Sequence, residues 1–185
     1  GAERAHRHRA SLRPAVKNQR LPRTDDDRNP HRPGMPGHHR QRIGLGADGH
    51  VTSQRRLFGG VLMSWIDVVA AVVARRHSHR EVTTVAVDNL QFRKPIYLSD
   101  TVVLVGQITW TGTKAMEVRV DTFTEKLNGE RIHVNRAYLV LLALDQINQP
   151  VPIPQIEPVT DEEKLEFEDG QRRQKIRLER REAGY

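Results

Sequence analysis

No cysteine occurs among the 185 residues. That removes disulfides, thiolate metal sites and a cysteine nucleophile, and it fits a cytoplasmic protein. No apolar run reaches the roughly 18 residues of a membrane-spanning helix. The opening GAERAHRHRASLRPAV lacks the apolar segment of a secretory signal, and Glu3, Pro14 and Asp25-Asp26-Asp27 sit badly in a mitochondrial presequence. Charge is unbalanced by +7, but unevenly: residues 1–50 carry 11 Lys+Arg against 5 Asp+Glu, and the remainder 19 against 18. The basicity thus belongs to one end, where neither interleaved aromatics nor a recognition motif appears, so no nucleic-acid partner is expected.

What is present divides the chain in three. Residues 1–50, dominated by Arg, His, Pro, Gly and Asp, lack hydrophobic periodicity and are expected to be a disordered or non-native leader. Six histidines fall there (His6, His8, His31, His38, His39 and His50), but their irregular spacing and the lack of a framework give no metal site. From residue 51 to 156 the pattern is that of a folded domain. Gly59-Gly60 opens a helix, apolar on every side, that ends among Arg75, Arg76 and His77, where cations suit the helix dipole. An all-apolar helix is expected to be wrapped on all sides, and Met63 and Trp65 to lie in the core. His77 and His79, at its exit, are expected to be solvated.

Strand patterns follow at 82–92, 101–110, 114–126 and 131–145. The third alternates Met116, Val118 and Val120 against Glu117, Arg119 and Asp121, and Asn128-Gly129 marks a hairpin before the fourth. Pro150, Pro152 and Pro154 end the sheet. Residues 157–185 read as a charged terminal helix with a capping box, Thr160 with Glu163, and a break near Gly170; its basic end is expected to face solvent.

Asp67 is the anomaly, the one ionisable residue between Arg56 and Arg75. A buried carboxylate costs several kcal/mol unless paired or protonated. It is either an internal ion-pair partner, for example of an arginine across a subunit interface, or a working acid. The helix start at Gly59-Gly60 offers free backbone N–H groups and a positive dipole, with no side chain in the way, for an oxyanion developing on a substrate. Asp67, two turns on, suits a general base or nucleophile, and Ser64, one turn before it, suits holding the carboxylate or a water.

The strings LFGGVLMSWID (57–67), VTTVAVDNLQFRKPIYLSD (82–100), EVRVDTF (117–123) and NRAYLVLLALD (135–145) together resemble the hotdog-fold acyl-CoA thioesterases. The resemblance implies an α+β fold in which a curled antiparallel sheet wraps a long central helix. It implies hydrolysis of fatty acyl-CoA to free acid and CoA, with Asp67 catalytic and the amides of Gly59 and Gly60 polarising the carbonyl. No metal or dissociable cofactor is implied, CoA being part of the substrate. Because CoA carries phosphates, Arg93, Lys94, Lys114 and Arg136 are candidates to bind it. The family's sites lie between two subunits, implying a homodimer, commonly within a trimer of dimers.

The chain departs from the family upstream of Leu57. Thr52 stands where an asparagine, catalytic in some relatives, would be, and Arg55 where glycine is usual. A non-catalytic acyl-CoA-binding module is therefore the alternative. Before that loop only a poor first strand is visible, with Arg42 to Leu45 the best stretch. A patternless leader joined abruptly to a patterned domain resembles translation in the wrong frame, which the coding DNA would settle.

Overall fold

The computed structural model describes residues 39–44, 55–98 and 100–184. The residues before 39, residues 45–54 with Thr52, Ser99 and Tyr185 lie outside the described residues. In chain order the elements are β1 (His39–Gly44), α1 (Gly59–Ser78), β2 (Glu81–Asp88), β3 (Thr101–Thr111), β4 (Ala115–Glu125), β5 (Arg131–Leu144) and α2 (Asp161–Glu182). The five strands form one antiparallel sheet in the order β1-β3-β4-β5-β2. The first strand, which the sequence barely shows, is therefore present: His39–Gly44 pairs with residues 101–106 of β3, inside the segment read as leader.

The front face of the sheet packs against α1. Period-two alternation sends Val118 and Val120 of β4 and Leu139 and Leu141 of β5 to that side. They meet Leu62, Ile66, Val69, Ala70, Val73 and Ala74 of the helix in one core. Gly106 lets α1 approach β3, since a Cβ there would lie 2.8 Å from Val73 and 2.9 Å from Val69. His79, in the left-handed conformation (φ 53°), closes the helix through its N–H to the Arg75 carbonyl.

Two expectations for α1 need correction. The helix is not wrapped on every side: Gly60, Met63, Ser64, Asp67 and Val68 are exposed on one face, and Trp65 alone of the Met63–Trp65 pair packs on the core. His77 is not simply solvated either. Its Nε2–H donates to the Pro154 carbonyl at 2.8 Å, and burial lowers its pKa below the usual histidine value, against the raising effect of that bond.

The back face is covered by α2. The capping box forms as the sequence suggests, Thr160 accepting from the Glu163 N–H and Glu163 accepting from the Thr160 N–H. No break occurs at Gly170, which is buried where the helix meets β3; a Cβ there would lie 2.6 Å from the Trp110 Cβ. Glu117, wholly buried, accepts hydrogen bonds from Arg173 (2.8 Å), Arg177 (2.8 Å) and Thr109 (2.8 Å). Arg119 pairs with Glu166 at 2.6 Å, and the Arg173 guanidinium lies over the Tyr138 ring at 3.8 Å. Burial pulls Arg173 down, but its bonds to Glu117 and the adjacent charge outweigh this and hold it above its ordinary value. The basic end of the tail is thus partly docked on the sheet.

After β5 the chain runs back as a strap of alternating prolines. The Val151 N–H donates to Ala143 and the Ile153 N–H to Thr113, while the prolines at 150, 152 and 154 have none to give. Among the described residues no helix is long and apolar enough to cross a membrane.

Candidate active site

Asp67 sits at the middle of the exposed face of α1. Its carboxylate Oδ1 accepts a 2.6 Å hydrogen bond from the hydroxyl of Thr84, on the edge strand β2. Ser64 lies on the same face one turn earlier, but the partner of the acid is Thr84. Sequence reasoning missed this residue, because nothing in VTTVAVD separates one threonine from its neighbours until the strand is laid beside the helix.

How β2 delivers Thr84 follows from its register. Thr84 pairs with Leu141, a core residue facing α1, whereas Ala86 pairs with Val140, on the opposite face. The register shifts between Thr84 and Ala86, a β-bulge at Val85. The inserted residue reverses the alternation, so even-numbered residues face α1 before it and the back of the sheet after it. Thr84 and Asp88 therefore address opposite faces. Asn89, at φ 51°, then ends the strand four residues before the sequence pattern does.

The N-terminus of α1 forms a second centre. Phe58 occupies the cap position with no side-chain bond to the helix, and its carbonyl accepts from Val61 and Leu62. The N–H groups of Gly59 and Gly60 come before the first intrahelical donor, that of Val61, and so have no acceptor within the helix, as helix geometry requires. Phe92 crosses close by: a Cβ on Gly59 would lie 3.2 Å from its ring. An open groove of about 360 Å³ runs past Gly59, Leu62 and Phe92, flanked by Arg56, Arg93 and Lys94.

Of the four cations considered for CoA, two share this groove and two do not. Lys114 is exposed in the turn between β3 and β4. Arg136 lies on the other side of the sheet, its Nε donating to Asp121 at 2.6 Å. Burial lowers its pKa, but the Asp121 bond and charge outweigh that and leave it raised.

The two centres lie eight residues apart on one helix, about 12 Å along its axis at 1.5 Å per residue. A single carbonyl carbon cannot touch both.

The family model for the thioesterase superfamily matches residues 55–129. A Bacillus subtilis protein named as an uncharacterized acyl-CoA thioester hydrolase is 45% identical over 108 residues, 58% of this chain and 63% of that protein. The human cytosolic acyl coenzyme A thioester hydrolase is 32% identical over 118 residues, 62% of this chain and 31% of that protein. The chain thus spans less than two thirds of the length of these relatives. Among solved structures, an apo-hexameric acyl-CoA thioesterase matches with a TM-score of 0.75 at 31% identity, covering 80% of this chain and 96% of that one. The acyl-CoA hydrolase of Staphylococcus aureus, solved with butyryl coenzyme A, coenzyme A and coenzyme A disulfide, matches with a TM-score of 0.74 at 28% identity, covering 80% and 90%. Variants of that enzyme with an aspartate, a threonine or an asparagine replaced by alanine have also been solved. With the helix, the sheet order and these matches in agreement, the chain belongs to the hotdog-fold acyl-CoA thioester hydrolases of the thioesterase superfamily.

Proposed function

We propose that the chain hydrolyses fatty acyl-CoA thioesters to free acid and CoA, with Asp67 as the acid–base group. The observation that carries this is an aspartate presented on an apolar, open helix face with one carboxylate oxygen fixed by Thr84. Oδ1 is held, and Oδ2 is left to take a proton from a water or to attack the thioester itself. In the aspartate and threonine variants of the Staphylococcus aureus enzyme the replaced residues stand 17 positions apart, as Asp67 and Thr84 do here.

The separation of the two centres supports a composite site. The open face of α1 carries Met63 and Val68, and the neighbouring edge strand exposes Val85 and Val87, each 43–52% accessible. A second copy laid along β2 would cover this surface and bring one protomer's helix N-terminus toward the other's Asp67. There the N–H groups of Gly59 and Gly60 would stabilise the oxyanion, and Ser64 would line the entry. Assembly of such dimers in threes is supported by the neighbours named hexameric. Arg93 and Lys94, with Arg56, suit the CoA phosphates; Lys114 would serve only from a neighbouring subunit, and Arg136 is already engaged. The reaction as written needs no metal or dissociable cofactor. Rodent and human relatives named cytosolic support the same compartment.

The test is release of free thiol from acyl-CoA substrates of several chain lengths. Asp67→Ala is expected to abolish turnover while leaving the fold intact. Retained turnover in that variant would overturn the assignment. The non-catalytic alternative draws on Thr52, fifteen positions before Asp67, where the asparagine of the Staphylococcus aureus variant stands relative to its aspartate. Acyl-CoA binding by the wild-type chain without thiol release would establish it.

A further inference from the structure

We infer that Arg177 of the terminal helix is a positioning residue for the catalytic acid, acting through Asp88 and the bulge in β2. The inference rests on the reading of Asp67 as the group that promotes hydrolysis.

β2 is an edge strand, hydrogen-bonded within the described sheet to β5 alone. Three side-chain ties add to that ladder. Arg75 meets Glu81 at 2.8 Å at the start of the strand, but both are more than half exposed and contribute little. Thr84 reaches Asp67 at its middle. Arg177 meets Asp88 at 2.7 Å at its end, with side chains only 13% and 24% exposed. That last tie has a firm base, because the same Arg177 Nη1 donates to Glu117, which Arg173 and Thr109 also hold. Arg177 is therefore fixed from the back of the sheet before it touches β2.

The bulge makes this tie matter at the front. A regular strand would turn Thr84 and Asp88 to one face, and an α2 arginine could not then hold one while α1 met the other. With Val85 inserted, α2 holds the strand three residues beyond the bulge, at Asp88, while Thr84 projects to Asp67 one residue before it. Slippage of the bulge by one residue would turn the Thr84 hydroxyl away from α1. The Asp88–Arg177 pair opposes that slip from the opposite side of the sheet.

Asp88→Asn strips the ion pair from the tie, leaving only a neutral amide acceptor for Arg177, and keeps Glu117 and α2 in place. In thiol-release assays on the full chain it is expected to lower kcat about tenfold, a misplacement effect, with KM within about twofold. In a Thr84→Val background the same change is expected to have no further effect, because the group it positions is gone. Arg177→Met should match Asp88→Asn, Arg177→Lys should restore part of the loss, and Glu81→Gln, at the exposed end, should act as wild type. Wild-type kcat in folded Asp88→Asn, or a loss that multiplies in full on Thr84→Val, would overturn the inference. So would a change confined to KM. The methyl resonance of Thr84 gives a second readout: it should move in Asp88→Asn and not in Glu81→Gln, and an unmoved resonance would also overturn the inference. A wild-type chain releasing no thiol would instead refute the catalytic reading, with the resonance still reporting on the tie.

Discussion

Replacing Thr84 by valine removes the hydroxyl that holds Asp67 and keeps the shape of the side chain. A hydrogen bond to an ionised group contributes about 1.5–3 kcal/mol. The pair is open to solvent in the protomer, so water can replace part of what is lost, which sets the effect near the lower bound. A loss of about 1.5 kcal/mol from transition-state positioning is roughly a tenfold fall in kcat. Stability should hardly change: valine suits a strand, and surface substitutions stay within about 0.5 kcal/mol. The assay is continuous thiol release under saturating acyl-CoA, with urea unfolding as the control. Thr84→Ser, which keeps the hydroxyl, should recover most of the rate. A valine variant with kcat within twofold of wild type would show that the 2.6 Å bond has no part in turnover.

Three further outcomes follow from the packing. Glu117→Ala leaves Arg173 and Arg177 without their shared buried acceptor; because Glu166 and Asp88 still engage them, the cost should sit near the lower end of about 3–5 kcal/mol in urea unfolding. Gly170→Ala gains up to about 1 kcal/mol of helix propensity but drives a Cβ to 2.6 Å from that of Trp110, so overpacking of about 1–3 kcal/mol should leave the variant less stable than wild type. His77 is held neutral by burial, its folded pKa below its unfolded one. Its contribution is therefore complete above about pH 6.5 and is lost as pH falls from there through the lower folded value. His77→Gln should flatten the stability-against-pH curve in that window, and an unchanged curve would refute the assignment.

The core of the domain was legible because its pattern is local. A helix beginning at a glycine pair, β-branched runs of strand length and an Asn-Gly turn each signal one element. Asp67 stood out because apolar neighbours isolate a charge. Its exposure was not legible, since an all-apolar helix reads the same whether a second copy or its own sheet covers the remaining face. Thr84 was hidden because its partner lies on another element, and the bulge because VTTVAVD alternates well enough to pass for a regular strand. The docking of α2 was missed although a signal existed: Glu166, Gly170, Arg173 and Arg177 recur at helical spacing and form one stripe. What concealed it was that the acceptor, Glu117, lies 56 to 60 residues away and looks in sequence like the wet side of an alternating strand.

The proline strap has a consequence for behaviour at high concentration. In an extended chain successive residues aim their N–H groups to opposite sides. Val151 and Ile153 spend theirs on the sheet end, while the intervening prolines leave the other side without donors, and His77 occupies the Pro154 carbonyl. A partly folded neighbour therefore finds no ladder to extend on the strap, whatever its sequence. The strap is a cross-β dead end. Strand addition, whether the orderly pairing of two copies or the disorderly growth of an aggregate, is left to the two edge strands, β1 and β2, and at β2 association would also complete the proposed site.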